Sequence, residues 1–314
     1  MKNRFIILLI FCILTTTASA QTAGETHSIY VSATGRQRSP QEITAMRRFY
    51  ESQKQTAQFA NLKNNSNILS TGSNISVTDI LYTKKQLQLI DKLSQPNELE
   101  NARYKKFLEQ SKTGFTTLLS ESDCVKKSDN GNPPKSENSC SGHILPGKGA
   151  YFSFRLKNYI HTGWADLGFA QNWFFSVAYL TQSLFVELGD VPVENLTLQS
   201  KGIKFLTDFV PANNPESADQ QRAELETGVE KEGLFYFNAV KATLNQTYAL
   251  RSVAYRGKVV TVLNFDKNKM KIDLLNGDER KDVLVVFRVV DQDEKENIKI
   301  VWKELQSKDS PKLK

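Results

Sequence analysis

The sequence predicts an α+β protein in which about three N-terminal helices pack on a mainly antiparallel β core, made of a meander and a C-terminal hairpin. Three observations carry this. Apolar residues recur at helical spacing in three stretches between residues 39 and 111; between 149 and 192 the period becomes two, in a segment dense in aromatics; and 283–290 with 298–303 reads as two strands around a charged turn.

The first twenty residues have the form of a cleaved secretory signal: Lys2 and Arg4, an apolar run over 5–14, then Ala18-Ser19-Ala20. Bulky Phe11 before Cys12 argues against a lipid-attachment site, so cleavage after Ala20 and an exported protein, periplasmic or secreted, are expected. No later stretch reaches the roughly 18 apolar residues of a membrane helix, since 173–188 is interrupted by Gln182 and Glu187. The expected organisation is a signal peptide (1–20), a flexible lead-in (21–38), a helical segment (39–111), an antiparallel β domain (112–306) and a basic tail (307–314). The 41 basic and 34 acidic residues give a net charge of +7, or +5 without Lys2 and Arg4, spread along the chain. With no basic stripe interleaved with aromatics, nucleic acid is not an expected partner.

Ser39-Pro40-Gln41-Glu42 is a capping box with proline at the first helical position, and Ile43, Met46, Tyr50 and Ala57 follow on one face to about Leu62. The Asn- and Ser-rich run 61–76 reads as a loop. A second cap at 76–79 precedes Ile80, Leu87, Ile90 and Leu93, and Pro96 ends that pattern. A third helix over 98–111 turns Leu99, Tyr104, Phe107 and Leu108 inward. Residues 115–119 read as a short strand or sheet edge.

Cys124 and Cys140 are an even pair in an oxidising compartment once Cys12 is removed, and a disulfide between them is the leading reading. It would close a polar, turn-rich loop and contribute about 3 kcal/mol. Metal binding there is the rival, with only His143 nearby as a further ligand, whereas a closed zinc site wants four. No metal and no cofactor are expected.

In the aromatic segment, Tyr151, Ser153 and Arg155 fall on one face of a strand and Phe152, Phe154 and Leu156 on the other. Leu167 with Phe169, and Phe175 with Val177 and Tyr179, follow the same rule, predicting three or four antiparallel strands. Beyond them, 211–221 reads as a polar linker and 218–227 as one or two helical turns. Strand 234–239 is expected to pair with 247–255, and 259–265 with 271–275. The near-continuous apolar run 283–290 predicts an interior strand covered on both faces.

Three candidate sites emerge. Among His27, His143 and His161, only His161 lies in the core segment, five residues from Asp166, so the two are a candidate acid/base dyad with Ser153 and Ser176 as conceivable hydroxyls. The plainer reading makes both strand-end residues. Asp166, Glu187 and Asp190 are candidate paired carboxylates of the kind that hydrolyse glycosides, against the simpler reading of turn residues. Finally, adjacent Phe174 and Phe175 face opposite ways in a strand; unless helices cover both faces, Trp164, Trp173 and Phe174 form an exposed aromatic surface of the kind that marks an interface. The Gly-x-Ser-x-Gly, His-Glu-x-x-His and phosphate-loop patterns are missing from the sequence.

The stretches 112–119, 149–154, 188–192, 248–255 and 282–290, with His161 and Asp166, together resemble a family of exported bacterial proteins without an assigned activity, over roughly residues 111–305. The resemblance implies a bacterial origin and a single β unit, and it brings no catalytic residues. Two functional expectations stand: a non-enzymatic binding or interaction domain of the cell envelope, whose partner is an envelope protein or a small ligand, and an exported hydrolase using His161 and Asp166 or a carboxylate pair.

Overall fold

In the computed structural model, residues 30–31, 37–68, 84–120, 145–265 and 268–313 are described, with the backbone alone at 30–31, 37, 56–68, 261–265, 268–270 and 272. The signal, His27, the loop with Cys124 and Cys140, and His143 lie outside them. Strands β1 (Tyr30–Val31) and β2 (Gln37–Arg38) pair antiparallel within the stretch expected to be a flexible lead-in. Helix α1 (Pro40–Ile68) starts at the expected box: the Ser39 oxygen accepts from the Glu42 amide (3.2 Å) and the Glu42 carboxylate accepts from the Ser39 amide (2.9 Å). Its buried stripe is Ile43, Met46, Phe49 and Tyr50, one helical face.

Helix α2 (Lys84–Ser94) rests Leu89, Ile90 and Leu93 on the core, whereas Leu87, expected inward, is 52% exposed. Helix α3 (Glu98–Leu108) opens on a second capping box, Asn97 with Glu100, and buries Tyr104 and Phe107. Leu99 was also expected inward but is 84% exposed. At 3.6 residues per turn it lies about 140° round the helix from Tyr104.

The remaining strands are, in chain order, β3 (Thr113–Leu118), β4 (Tyr151–Ser153), β5 (Asn158–Tyr159), β6 (Leu167–Ala170), β7 (Trp173–Phe175), β8 (Thr181–Gly189), β9 (Val229–Lys231), β10 (Leu234–Phe237), β11 (Ala239–Lys241), β12 (Thr247–Ala254), β13 (Val260–Phe265), β14 (Asn268–Asp273), β15 (Lys281–Gln292) and β16 (Ile298–Asp309). Helices α4 (Ile203–Asp208) and α5 (Pro215–Thr227) fall between β8 and β9. The fold is α+β with two antiparallel sheets: seven strands in the order β3-β16-β15-β12-β8-β10-β9, and five in the order β11-β7-β6-β4-β5. Strands β13 and β14 form a separate hairpin, paired as the sequence suggests.

Alternation then dictates the layers. Phe152, Phe154, Phe169 and Phe174 of the small sheet meet Tyr248, Leu250, Phe287 and Trp302 of the large one in an inter-sheet core. The opposite face of the large sheet, carrying Val186, Tyr236 and Val286, is covered by α3, α4 and α5. The outer face of the small sheet, with Ala170 and Phe175, lies under α1, which also covers Phe235 and Phe237 of β10. Buried Arg251 on β12 anchors α4: it forks onto Asp282 (2.9 and 2.7 Å) and donates to the carbonyls of Leu206 and Phe209 at the helix C-terminus, where a cation is favoured.

The chain changes sheets four times, between β3 and β4, β7 and β8, β10 and β11, and β11 and β12, and the second and third of these crossings lie side by side. It leaves the small sheet after β7 and enters the large one at β8; it returns between β10 and β11 through Asn238 alone, whose carbonyl accepts from the Ser176 amide (3.3 Å). This corrects the expected pairing of 234–239 with 247–255: β10 pairs with β8 and β9, and β12 flanks β8 on its other side. Because β11 lies in the other sheet, the connection from β10 to β12 is no hairpin turn. The polar linker expected at 211–221 is helical from Pro215 onward, as the start of α5, where Asn214 caps the Ser217 amide (2.9 Å) and Pro215 takes the first helical position. At the other end β16 continues through Asp309, and the Arg256 amide donates to the Pro311 carbonyl (2.9 Å) while Ser310 bonds the Ala254 carbonyl.

Candidate functional site

Asp166 emerges from a short 3-10 turn (Thr162–Trp164) into the seam between the sheets, where it is 1% exposed. A bare carboxylate there would be prohibitively costly. Its oxygens accept from the hydroxyls of Ser153 (2.9 Å) and Ser252 (3.0 Å), from Arg155 Nε (3.2 Å) and from the Arg155 amide (3.3 Å). Arg155 reaches on to Asp278 (2.8 Å) and to the carbonyls of Trp164 (2.6 Å) and Glu279 (2.9 Å). Arg280 completes the cluster, bonding Asp278 (2.8 Å) and the carbonyls of Tyr255, Tyr179 and Leu180. Two cations and two anions thus share one buried knot. Burial alone would pull the Arg155 guanidinium below its ordinary pKa, but Asp166 and Asp278 outweigh it and hold it above; for Arg280 burial wins and lowers it.

His161 is not among the partners of Asp166. Its ring meets the edge of Trp164, with centroids 6.5 Å apart, and burial lowers its pKa, favouring the neutral imidazole. The carboxylates Asp166, Glu187 and Asp190 each take a different arginine: Arg155, Arg38 and Arg288. They are spent separately, Asp190 on the exposed rim and Asp166 in the interior. Among the described residues no three His, Cys, Asp or Glu side chains converge as a metal site.

The exposed aromatic surface expected from Trp164, Trp173 and Phe174 is also corrected. Phe174 is fully buried between the sheets, 4.9 Å from the Phe287 ring, and Trp164 is buried with its indole N–H on the Leu274 carbonyl (2.9 Å). Trp173 is half-buried under α1, stacked on Phe49 at 5.3 Å, and Phe49 also meets Phe175 edge-on at 5.5 Å. Helices and the second sheet cover both faces, so the adjacent phenylalanines are both core.

Among the described residues a cleft of about 340 Å³ opens to solvent where α1, α5 and the 176–182 crossover meet, within the range of small-molecule sites. None of His161, Asp166 and Asp190 lines it. Its floor is hydrogen-bonded: Tyr255 Oη donates to Gln182 Oε1 (2.6 Å), Gln182 Nε2 donates to the Ala218 carbonyl (2.8 Å), and Ser183 Oγ donates to Ser176 Oγ (2.9 Å). Its charged groups are paired, Lys54 with Glu226 at 2.7 Å across the α1–α5 seam and Arg222 with Asp219 at 2.8 Å along α5. Burial pushes the Tyr255 hydroxyl up to about 12 and raises that of Tyr50, with Glu226 adding to the latter, so both stay protonated and neutral. Val177, Leu180 and Leu313 supply apolar wall.

Sequence reasoning missed this site because its walls come from residues about 50, 180, 220 and 255. It also missed the knot, although Arg155 inside an alternating aromatic strand is the kind of residue that must find a buried partner. Among the described residues no helix is long and apolar enough to cross a membrane. No protein-family model, no curated protein and no solved structure matches this chain.

Proposed function

We propose that this chain is a non-enzymatic exported binding domain of the bacterial cell envelope, with the α1–α5 cleft as its recognition site. The observation that carries the reading is the cleft itself: a small-molecule-sized hollow with a hydrogen-bonded floor and internally paired charges, which is a pre-organised surface for holding a ligand. The helical segment 39–111 serves as the cover of the β core and supplies one wall. Asp166, the acid/base candidate of the sequence, is consumed in holding the sheets together.

The direct test is protein-observed NMR with a fragment library. Shifts concentrated on residues 50–54, 176–182 and 218–226 are expected, and a library whose hits all map elsewhere rejects the cleft. Hydrolysis of a chromogenic ester or glycoside that disappears in His161→Ala would overturn the non-enzymatic reading. Export and the Cys124–Cys140 bridge are tested together: unfolded periplasmic protein should show no free thiol without reductant, and two labelled thiols would remove the disulfide.

A further inference from the structure

The chemistry of the cleft wall selects among ligands. Its cations are each held by a carboxylate within 3 Å, Lys54 by Glu226 and Arg222 by Asp219. A phosphate, a carboxylate ligand or a polyamine would have to compete with these pairs for their partners, whereas a neutral hydroxyl can bond to both members without separating them. The wall is also two-faced. Val177, Leu180, Leu313 and Tyr179, whose ring also meets Trp164 in a T-shaped contact at 5.6 Å, form an apolar part, while Ser176, Arg222 and Asp219 line the same space.

The ligand class with that same division is a pyranose, whose axial C–H bonds make an apolar face and whose equatorial hydroxyls make a polar rim. Planar forked groups such as guanidinium and carboxylate can engage two neighbouring hydroxyls at once, each hydroxyl donating to one and accepting from the other. Arg222 and Asp219 are well placed for this: they are 54% and 71% exposed at the mouth of the cleft and lie one turn apart on α5. Burial keeps the tyrosine hydroxyls of the floor neutral, so the floor adds no charge at physiological pH.

We propose that the cleft binds a neutral saccharide of one or two rings, its hydroxyls held by Arg222 and Asp219 and its apolar face set against Tyr179, Val177 and Leu180. This rests on the reading of the cleft as the recognition site.

The test uses the full chain, isotope-labelled, titrated with maltose, cellobiose and N,N′-diacetylchitobiose, and in parallel with glucuronate, spermidine and octanoate. The expected result is saturable shifts of amides 176–182 and 215–226 with at least one neutral disaccharide. Affinity should fall about tenfold or more in Arg222→Ala and in Asp219→Ala, the loss of roughly one charge-assisted hydrogen bond. Both positions are exposed, so the variants keep the fold, as an unchanged spectrum elsewhere would establish. Cleft shifts with a charged or apolar probe but none with the sugars would overturn the ligand class and leave the cleft standing. No shift of the cleft with any probe would overturn the site as well, and full sugar affinity in both variants would overturn the assigned contacts.

Discussion

Replacing Arg155 by methionine puts the buried charge knot to its severest test. The wild-type guanidinium, with its side chain 2% exposed, makes four hydrogen bonds outside itself: to Asp166, to Asp278, and to the carbonyls of Trp164 and Glu279. Methionine fills comparable space but strands Asp166, 1% exposed, with only two serine hydroxyls and a backbone amide. Asp278 retains Arg280. Breaking a buried pair from one side costs about 3–5 kcal/mol, because the surviving charge has been desolvated without compensation. At roughly 2–4 °C per kcal/mol for domains somewhat smaller than this, the melting temperature should fall by about 6–20 °C. Thermal and urea unfolding followed by circular dichroism would measure it. Lys281→Met, which removes the exposed pair with Asp309, is the control and should change little. A double-mutant cycle with Asp166→Asn should return a coupling of about 1 kcal/mol or more. A loss below about 1 kcal/mol for Arg155→Met, with no coupling to Asp166, would refute the claim that this knot holds the sheets in register.

Three further outcomes are expected. Stability should decline from about pH 10 upward: the unfolded chain then loses tyrosine protons that the native state retains, Tyr159 and Tyr255 being pushed up to about 12 by burial, so the stabilisation is complete below the unfolded pKa and is lost as pH rises through the folded one. Tyrosinate absorbance and melting temperature between pH 8 and 12 would follow this together. Phe49→Ala should cost about 3–5 kcal/mol and shift tryptophan emission to the red as Trp173 loses its stacked neighbour. Gly114→Ala should cost about 1–3 kcal/mol, since a Cβ at that position on β3 would overlap the Trp302 indole; urea titration checks both.

Residue patterns announced local structure well where a single element decides it. The Ser39 box and the β15–β16 hairpin depend on residues near one another in the chain, and their capping chemistry or periodicity is visible in it. Partnership across long separations was not visible. Phe174 and Phe175 could be placed on opposite faces, but only the packing of α1 reveals that Phe49 closes one face. Likewise Asn238 is ordinary in sequence, yet it is one of the points where the chain changes sheets. His161 and Asp166 part for a related reason: four residues lie between them, and the intervening 3-10 turn sends one toward Trp164 and the other into the knot with Arg155.

The pairing of β3 with β16 carries a consequence for when this protein can fold. Residues 113–118 hydrogen-bond to residues 298–303, across most of the described chain. While the polypeptide is being synthesised, β3 emerges long before its partner, and its open edge has nothing to pair with until nearly the whole β unit has been made. Loops of that length close slowly, and sheets dominated by such distant pairings assemble in milliseconds to seconds rather than microseconds. The seven-stranded sheet is therefore completed only once residues 298–303 are available, and a chaperone that shields the 113–118 edge until then would have a long window in which to act.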